Sequence, residues 1–241
     1  MIDIHCHILP GIDDGPRHAG ESREMLAAER ASGVDRVFLT PHFYPEEMSM
    51  DDFLTARKAA WEQLEPMEDC PEIRLGAEVR YCRQLLDLDL RKVTLGDSDY
   101  LLLELPGRRY PSFAVQIMEE LLGAGMIPIL AHVERCSYFR EDPMLLKQLI
   151  DLGALAQVSA AALFDRADKN FARACLEHHL AQIVASDAHH MTQRKPCMEL
   201  LRRLPEEMQQ LHAVASEAVW SNEMIPYMRA TTVKKTFFGY R

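Results

Sequence analysis

The 241-residue chain is short of several features that would fix its class at once. Its six cysteines, Cys6, Cys70, Cys82, Cys136, Cys175 and Cys197, include no CxxC pair. That dispersal argues against a disulfide framework and predicts free thiols in a reducing compartment. No apolar run approaches the ~18–20 residues of a membrane span, so direct membrane insertion is not expected. No basic n-region precedes an apolar h-region at the start, and the expected location is cytoplasmic. Positive charge is also scarce: 27 Lys and Arg stand against 37 Asp and Glu, for a net charge of −10. A generic nucleic-acid surface or anionic-membrane surface is thereby disfavoured. Repeats, low-complexity tracts and obvious linkers are missing. With 48% hydrophobic residues, the chain reads as one large domain over 1–241, ending in a basic, aromatic tail at 226–241 that is expected to dock or fray.

What is present is an alternation of short β-rich runs with longer helical patterns. Strands are expected at 2–5, 36–40, 73–78, 99–104, 127–131, 154–158 and 182–186. Helices are expected near 18–32, 50–66, 112–125, 142–152, 168–179, 194–204, 206–217 and 217–225. Gly33, Gly123, Gly125 and Gly153 fall where helices should stop. This order predicts an α/β fold with parallel strands and right-handed crossovers. An open doubly wound sheet is one solution. A barrel fits better, because polar residues end every expected strand except the sixth, and strand C-termini in a barrel meet at one mouth.

Those strand ends carry the chemistry. His5 and His7 close the first strand, and residues two apart on a strand share a face. Asp14 follows in the turn Asp13-Asp14-Gly15-Pro16. His42 follows the second strand, Glu78 ends the third, Glu104 the fourth, His132 the fifth, and Asp187 with His189 the seventh. Taken singly, a strand-end histidine is more often a core or surface residue, a strand-end aspartate usually caps a helix, and Asp14 equally suits an Asp-Gly turn. Together they are five imidazoles and four carboxylates aimed at one mouth. Nitrogen and oxygen ligands without thiolate suit Mn²⁺, Zn²⁺ or Fe²⁺. Nine ligands exceed the capacity of one ion, so two or three ions sharing a carboxylate are expected. Without metal, the four carboxylates would repel a phosphate; with three divalent ions the mouth becomes an anion site.

The segments Asp3-Ile-His-Cys-His7, Asp13-Asp-Gly-Pro16, Thr40-Pro-His42, Gly76-Ala-Glu78, Leu103-Glu-Leu-Pro106, Ala131-His-Val-Glu-Arg135 and Ser186-Asp-Ala-His189 resemble the polymerase-and-histidinol-phosphatase (PHP) superfamily. Within it, they are similar to the bacterial manganese-dependent protein-tyrosine phosphatases associated with capsule and exopolysaccharide synthesis. The likeness covers residues 1 to about 200. It implies a distorted (β/α)7 barrel with a trinuclear site at the C-terminal mouth of the strands, holding three divalent ions, Mn²⁺ first and Fe or Zn as alternatives. It further implies that His5, His7, Glu78 and Asp187 hold one ion, that Glu78 bridges to a second completed by Glu104 and His132, and that Asp14, His42 and His189 hold the third. Arg135 and Arg194 match positions of phosphate-binding arginines, whose guanidinium fork suits a phosphate; a surface salt bridge and a helix start are their ordinary alternatives. The implied substrate is phosphotyrosine on a protein, such as the tail of a bacterial tyrosine kinase.

Histidinol phosphate or another small phosphomonoester is the nearest alternative substrate. A polymerase-associated exonuclease would need a polymerase module and a less acidic surface, and a non-catalytic metal-binding kinase partner is a further class. Cys197-Met-Glu-Leu-Leu-Arg-Arg203 spells C-x5-R, the spacing of cysteine-dependent tyrosine phosphatases. That chemistry needs a phosphate-cradling loop, whereas residues 198–202 contain no glycine and favour a helix. His190 reads as a solvated loop residue.

Overall fold

The computed structural model describes residues 1–64, 69–226, 228–236 and 239–240. Strand β1 (Ile2–Cys6) is buried throughout, as expected of a strand covered on both faces. It pairs in parallel with β2 (Arg36–Leu39), which pairs with β4 (Glu72–Leu75). A six-stranded parallel sheet runs β3 (His42–Phe43), β5 (Glu78–Arg80), β6 (Tyr100–Glu104), β7 (Ile127–Leu130), β8 (Leu155–Ser159) and β9 (Ile183–Ala185). The segment just after β9 meets β1 of the other sheet: the Asp187 N–H donates to the His5 carbonyl (2.9 Å) and the His7 N–H to the Ala188 carbonyl (2.8 Å).

Two expected strands are each broken in two. The run at 36–40 ends at Leu39, and His42 opens β3 instead of trailing β2. The run at 73–78 ends at Leu75, and Glu78 opens β5 instead of closing the strand. Thr40-Pro41 and Gly76-Ala77 make the breaks. Proline supplies no ladder donor, and a Cβ on Gly76 would come within 2.8 Å of Leu95 Cδ2. The offsets move His42 and Glu78 into register with each other.

Helices α1 (Ala19–Ser32), α2 (Met50–Glu62), α3 (Ala114–Gly123), α4 (Ser137–Glu141), α5 (Pro143–Leu152), α6 (Lys169–Glu177) and α7 (Glu206–Ser221) complete the fold. In α5, Asp142 caps the Met144 N–H (3.1 Å), proline occupies the first turn, and Leu146, Leu149 and Ile150 form the buried stripe. Gly33 (φ 93°) and Gly153 (φ 121°) end α1 and α5, as their positions suggest, whereas Gly123 lies inside the last turn of α3. The expected helix at 194–204 is only a 3₁₀ turn, Met198–Arg203, following Pro196. The expected helices 206–217 and 217–225 are one helix, stopped by Asn222 in the left-handed conformation. Residues 65–66 of the expected 50–66 helix lie outside the described residues, as do Tyr227, Phe237, Phe238 and Arg241 of the tail. The described tail docks: Val233 is buried, the Tyr240 hydroxyl donates to the Arg140 carbonyl (2.9 Å), and its ring packs on Phe171 of α6.

Ile2, Ile4, Phe38, Leu102, Ile129 and Ile183 form an apolar cluster against Val219 and Trp220 of α7. One residue or two further along the same strands the lining turns polar.

Candidate metal centre

All nine residues expected at the mouth come together there. The side-chain atoms of His5, His7 and Asp187 lie within ligand-sharing distance of one another, as do those of His5, Glu78 and His132. So do His42, Glu78 and Glu104, and so do His7, Asp14, His42 and His189. These groupings keep Asp14 with His42 and His189 but set Glu104 beside His42, where the family likeness implied His132.

Local backbone explains how each arrives. Between Asp3 and Cys6, β1 carries one residue more than β2 opposite it. This bulge lets Ile4 stay in the apolar cluster while the His5 side chain turns to the centre. His5 Nε2 and His7 Nε2 are 3.0 Å apart, and Cys6 between them points away, its thiol toward the Phe38 carbonyl. Alternation would turn His132 away from the face of Ile129 and Ala131. Its φ of 29° brings it back, to 2.7 Å from Glu78 Oε1. Asp187 (φ 50°) also holds a left-handed backbone, a conformation that costs about 1–3 kcal/mol outside glycine.

Residues without a sequence-based role orient these ligands. Asp13, quoted above only as part of a turn, accepts from His7 Nδ1 (2.7 Å) and from the His42 N–H (3.0 Å). Gln157, on the sixth strand position, accepts from His5 Nδ1 (3.2 Å) and the His132 N–H (2.8 Å). The sixth position therefore contributes one polar residue from within β8, where a pattern of strand ends alone does not reach. Its signal was a polar side chain inside an otherwise apolar run. Asp3 accepts from the Ser186 N–H (3.1 Å) and from the Ser186 hydroxyl, tying β1 to the turn that carries Asp187. The His189 Nδ1 faces the Asp187 carbonyl (2.9 Å). The contacts at His5, His7 and His189 each engage Nδ1 and leave Nε2 for the centre.

The electrostatics follow from crowding. Burial opposes charge on His7, but the hydrogen bond to Asp13 and the Glu78 carboxylate 3.2 Å from its Nε2 outweigh it and lift its pKa to about 10. Burial would raise Glu78, yet the charges of His5 and His132 hold it well below the usual carboxylate range. Asp187 is likewise pushed up by burial and pulled down further by His5 and Arg135. Burial and the neighbouring His7 cation depress His189 to about 3.

The donor set fits divalent cations. Glu78 Oε2, His42 Nδ1 and His189 Nε2 are buried and make no well-formed hydrogen bond, although Glu78 Oε2 lies 3.0 Å from His42 Nδ1 and His189 Nε2 lies 3.2 Å from Asp14 Oδ1; a cation or water among them would satisfy all three. Without an ion, the two imidazole nitrogens 3.0 Å apart can share a proton as an N–H···N hydrogen bond; with each Nδ1 engaged, both Nε2 lone pairs are equally placed for a divalent cation.

Both predicted arginines reach the centre. Arg135 pairs with Asp187 Oδ2; Arg194 pairs with Asp14 Oδ2 (2.6 Å) and approaches Asp187 Oδ2 (3.8 Å). Their side chains are partly exposed, 40% and 34%, so each can also face a ligand entering from solvent. Cys197 is far from this chemistry in kind. It precedes a 3₁₀ turn, is buried, and burial pushes its thiol up to about 12. All six cysteines are free, as expected. His190 makes an edge contact with His189 and joins none of the candidate ligand groups.

The family model of CpsB/CapC, capsular polysaccharide synthesis, matches residues 1–229. The tyrosine-protein phosphatase YwqE of Bacillus subtilis (strain 168) is 37% identical over 204 residues, 80% of this chain and 79% of that protein. The tyrosine-protein phosphatase CpsB of Streptococcus pneumoniae is 33% identical over 215 residues, 83% of this chain and 87% of that protein. A crystal structure from work on YwqE and CpsB, described there as unique metal-dependent tyrosine phosphatases, aligns with a TM-score of 0.87 at 32% identity. The alignment covers 97% of this chain and 100% of that one.

Proposed function

Because the chain belongs to the CpsB/CapC family of capsular polysaccharide synthesis, we propose that it is a metal-dependent protein-tyrosine phosphatase. The observation that carries this reading is the meeting of nine nitrogen and oxygen ligands with two partly exposed guanidinium groups at one mouth. We read the fold as a distorted (β/α)7 barrel forming one domain over 1–241. Taking β2 with β3 and β4 with β5 as interrupted strands gives seven positions around the sheet. The resident cofactor is three divalent ions, Mn²⁺ before Fe or Zn, held by His5, His7, Asp14, His42, Glu78, Glu104, His132, Asp187 and His189. The location is cytoplasmic, and the substrate is phosphotyrosine on a protein, with the tail of a tyrosine kinase controlling exopolysaccharide synthesis as the physiological case.

Bound ions of this kind act as Lewis acids on phosphate and lower the pKa of water to the neutral range. The chain's own residues do the rest. Asp13 and Gln157 fix the ring orientation of His7 and His5. Arg135 and Arg194, now on Asp187 and Asp14, turn their remaining N–H groups to the phosphate and offset charge on its equatorial oxygens in a loose transition state. A phenol leaves with a pKa near ~10, so no strong side-chain acid is required, and no buried cysteine takes part.

The test compares turnover of a phosphotyrosine peptide and of histidinol phosphate, with metal content measured on the same preparation. Peptide turnover lost on chelation and restored by Mn²⁺ is expected. Cleavage of histidinol phosphate alone would assign the small-molecule reaction, and full metal occupancy with neither activity would remove the enzyme reading.

A further inference from the structure

Four arginines lie at or just beyond the ends of the two strands that carry Glu78 and Glu104 to the mouth. Arg80 and Arg83 follow Glu78 on and after β5, and Arg108 and Arg109 lie in the loop that follows Glu104. This loop is held against the site, since its Gly107 carbonyl accepts from the Ser137 N–H (2.8 Å), two residues beyond Arg135. Arg80 is anchored, its Nε 3.3 Å from Glu104 Oε2 and its guanidinium over the Tyr44 ring at 4.0 Å; Tyr44 in turn stacks on His42. Arg83, Arg108 and Arg109 are exposed, and among the described residues none has a carboxylate within 4.0 Å. The Arg83 guanidinium lies 5.2 Å from the centroid of Phe113, an exposed aromatic at 44%. The neighbourhood of Asp14 and His189 differs. A cavity of about 350 Å³ next to them is lined by Glu21 and Glu24 together with Arg17 and His190, two carboxylates against one guanidinium.

We propose that the rim formed by Arg83, Arg108, Arg109 and Phe113 docks acidic residues flanking the phosphotyrosine of a peptide substrate. The proposal rests on the phosphatase reading above and adds a substrate preference to it. A phosphotyrosine with its phosphate at the metal centre brings its neighbouring residues onto the rim. Carboxylates there meet guanidinium groups that have no carboxylate within 4.0 Å among the described residues, and the exposed Phe113 ring offers apolar contact to the peptide stem. One exposed charge pair is worth a factor of only about 1.5 to 5. Two or three together give roughly tenfold, expressed in KM and association and weakened by salt as the Debye length falls from about 10 Å at 0.1 M to about 3 Å at 1 M.

The experiment uses the Mn²⁺-loaded full chain, three phosphotyrosine peptides with Asp/Glu, Asn/Gln or Lys flanks, and p-nitrophenyl phosphate as a reference without flanks. The expected kcat/KM favours acidic over basic flanks by about tenfold at low salt, and the gap contracts at 1 M. In the Arg108→Glu/Arg109→Glu variant, and separately in Arg83→Glu, the peptide-to-reference ratio should fall for acidic flanks and rise for basic ones. Equal kcat/KM on all three peptides, or an unchanged ranking in both variants, overturns the docking surface alone. Turnover of p-nitrophenyl phosphate or histidinol phosphate with no peptide cleaved overturns the protein-phosphatase reading and the surface with it.

Discussion

The same strands are apolar at their middle and polar at their C-terminal ends, and only a residue or two separates the two regimes. Leu102 is fully buried against hydrocarbon, and Glu104 faces the mouth. Ile183 and Ala185 belong to the apolar cluster, and Asp187 sits among four histidines. The lower layer has what stability needs: buried Ile, Leu and Phe closed off by Trp220 of α7. The mouth has what stability avoids, namely left-handed non-glycine backbone, buried carboxylates and orphaned polar atoms. The contrast teaches that this fold separates the cost of its chemistry from the source of its stability along each strand.

That separation can be broken from either end. The largest effect is expected at the mouth: His5→Ala or His132→Ala should lower turnover by orders of magnitude and reduce bound metal, with little change in urea midpoint. Wild-type turnover in either variant would mean the centre is misassigned. In the lower layer, Leu102→Ala should destabilise by about 2–5 kcal/mol while kcat per folded molecule persists. A matching collapse of kcat at full folding would mean the two layers are not separable.

Acid probes the lower layer through His212, buried on α7, where the Val184 N–H donates to its Nδ1 (3.3 Å). Burial holds its pKa near 4 against an ordinary 6.5. The unfolded chain therefore binds a proton that the folded one refuses, and stability falls as pH drops from 6.5 to 4, by up to about 3 kcal/mol. Denaturant titrations across this window should show His212→Leu flatter than the wild type; parallel curves would reject the assignment.

Gln157→Leu sharpens the border between layers. It removes the acceptor of His5 and His132, and a loss of about 10–100-fold in metal affinity or activity is expected, read by metal titration. Smallest of all is Cys197→Ser, which should leave phosphotyrosine turnover nearly intact. A collapse there would favour a cysteine nucleophile over the metal centre.

Much of the site was readable because ligand identity is local chemistry. His5 and His7 are two apart on a strand, and their meeting at 3.0 Å follows from alternation. The place of His132 after an apolar run points to the mouth, but alternation alone would face it away; its φ of 29° corrects this. Asp13 and Gln157 were passed over because a turn aspartate and a strand glutamine look ordinary until their distant partners are known. The broken second and third strands were missed for a related reason: Thr40-Pro41 and Gly76-Ala77 interrupt ladders that belong to two sheets, and pairing is not a property of either segment alone.

The sequence by itself determined the parts: nine metal-competent side chains at or beside strand ends, two arginines near them, dispersed cysteines, and an acidic chain without an apolar run of membrane length. Tertiary structure decided which atoms share space. It aligned His42 with Glu78, set Glu104 beside them, tied Asp13 and Gln157 to the imidazoles, and left Arg83, Arg108 and Arg109 exposed with no carboxylate within 4.0 Å among the described residues. The physical reason is range. Alternation and capping act over a few residues, whereas a metal centre is set by distances of a few ångströms between residues as far apart as 5 and 187, which only closure of the sheet brings together.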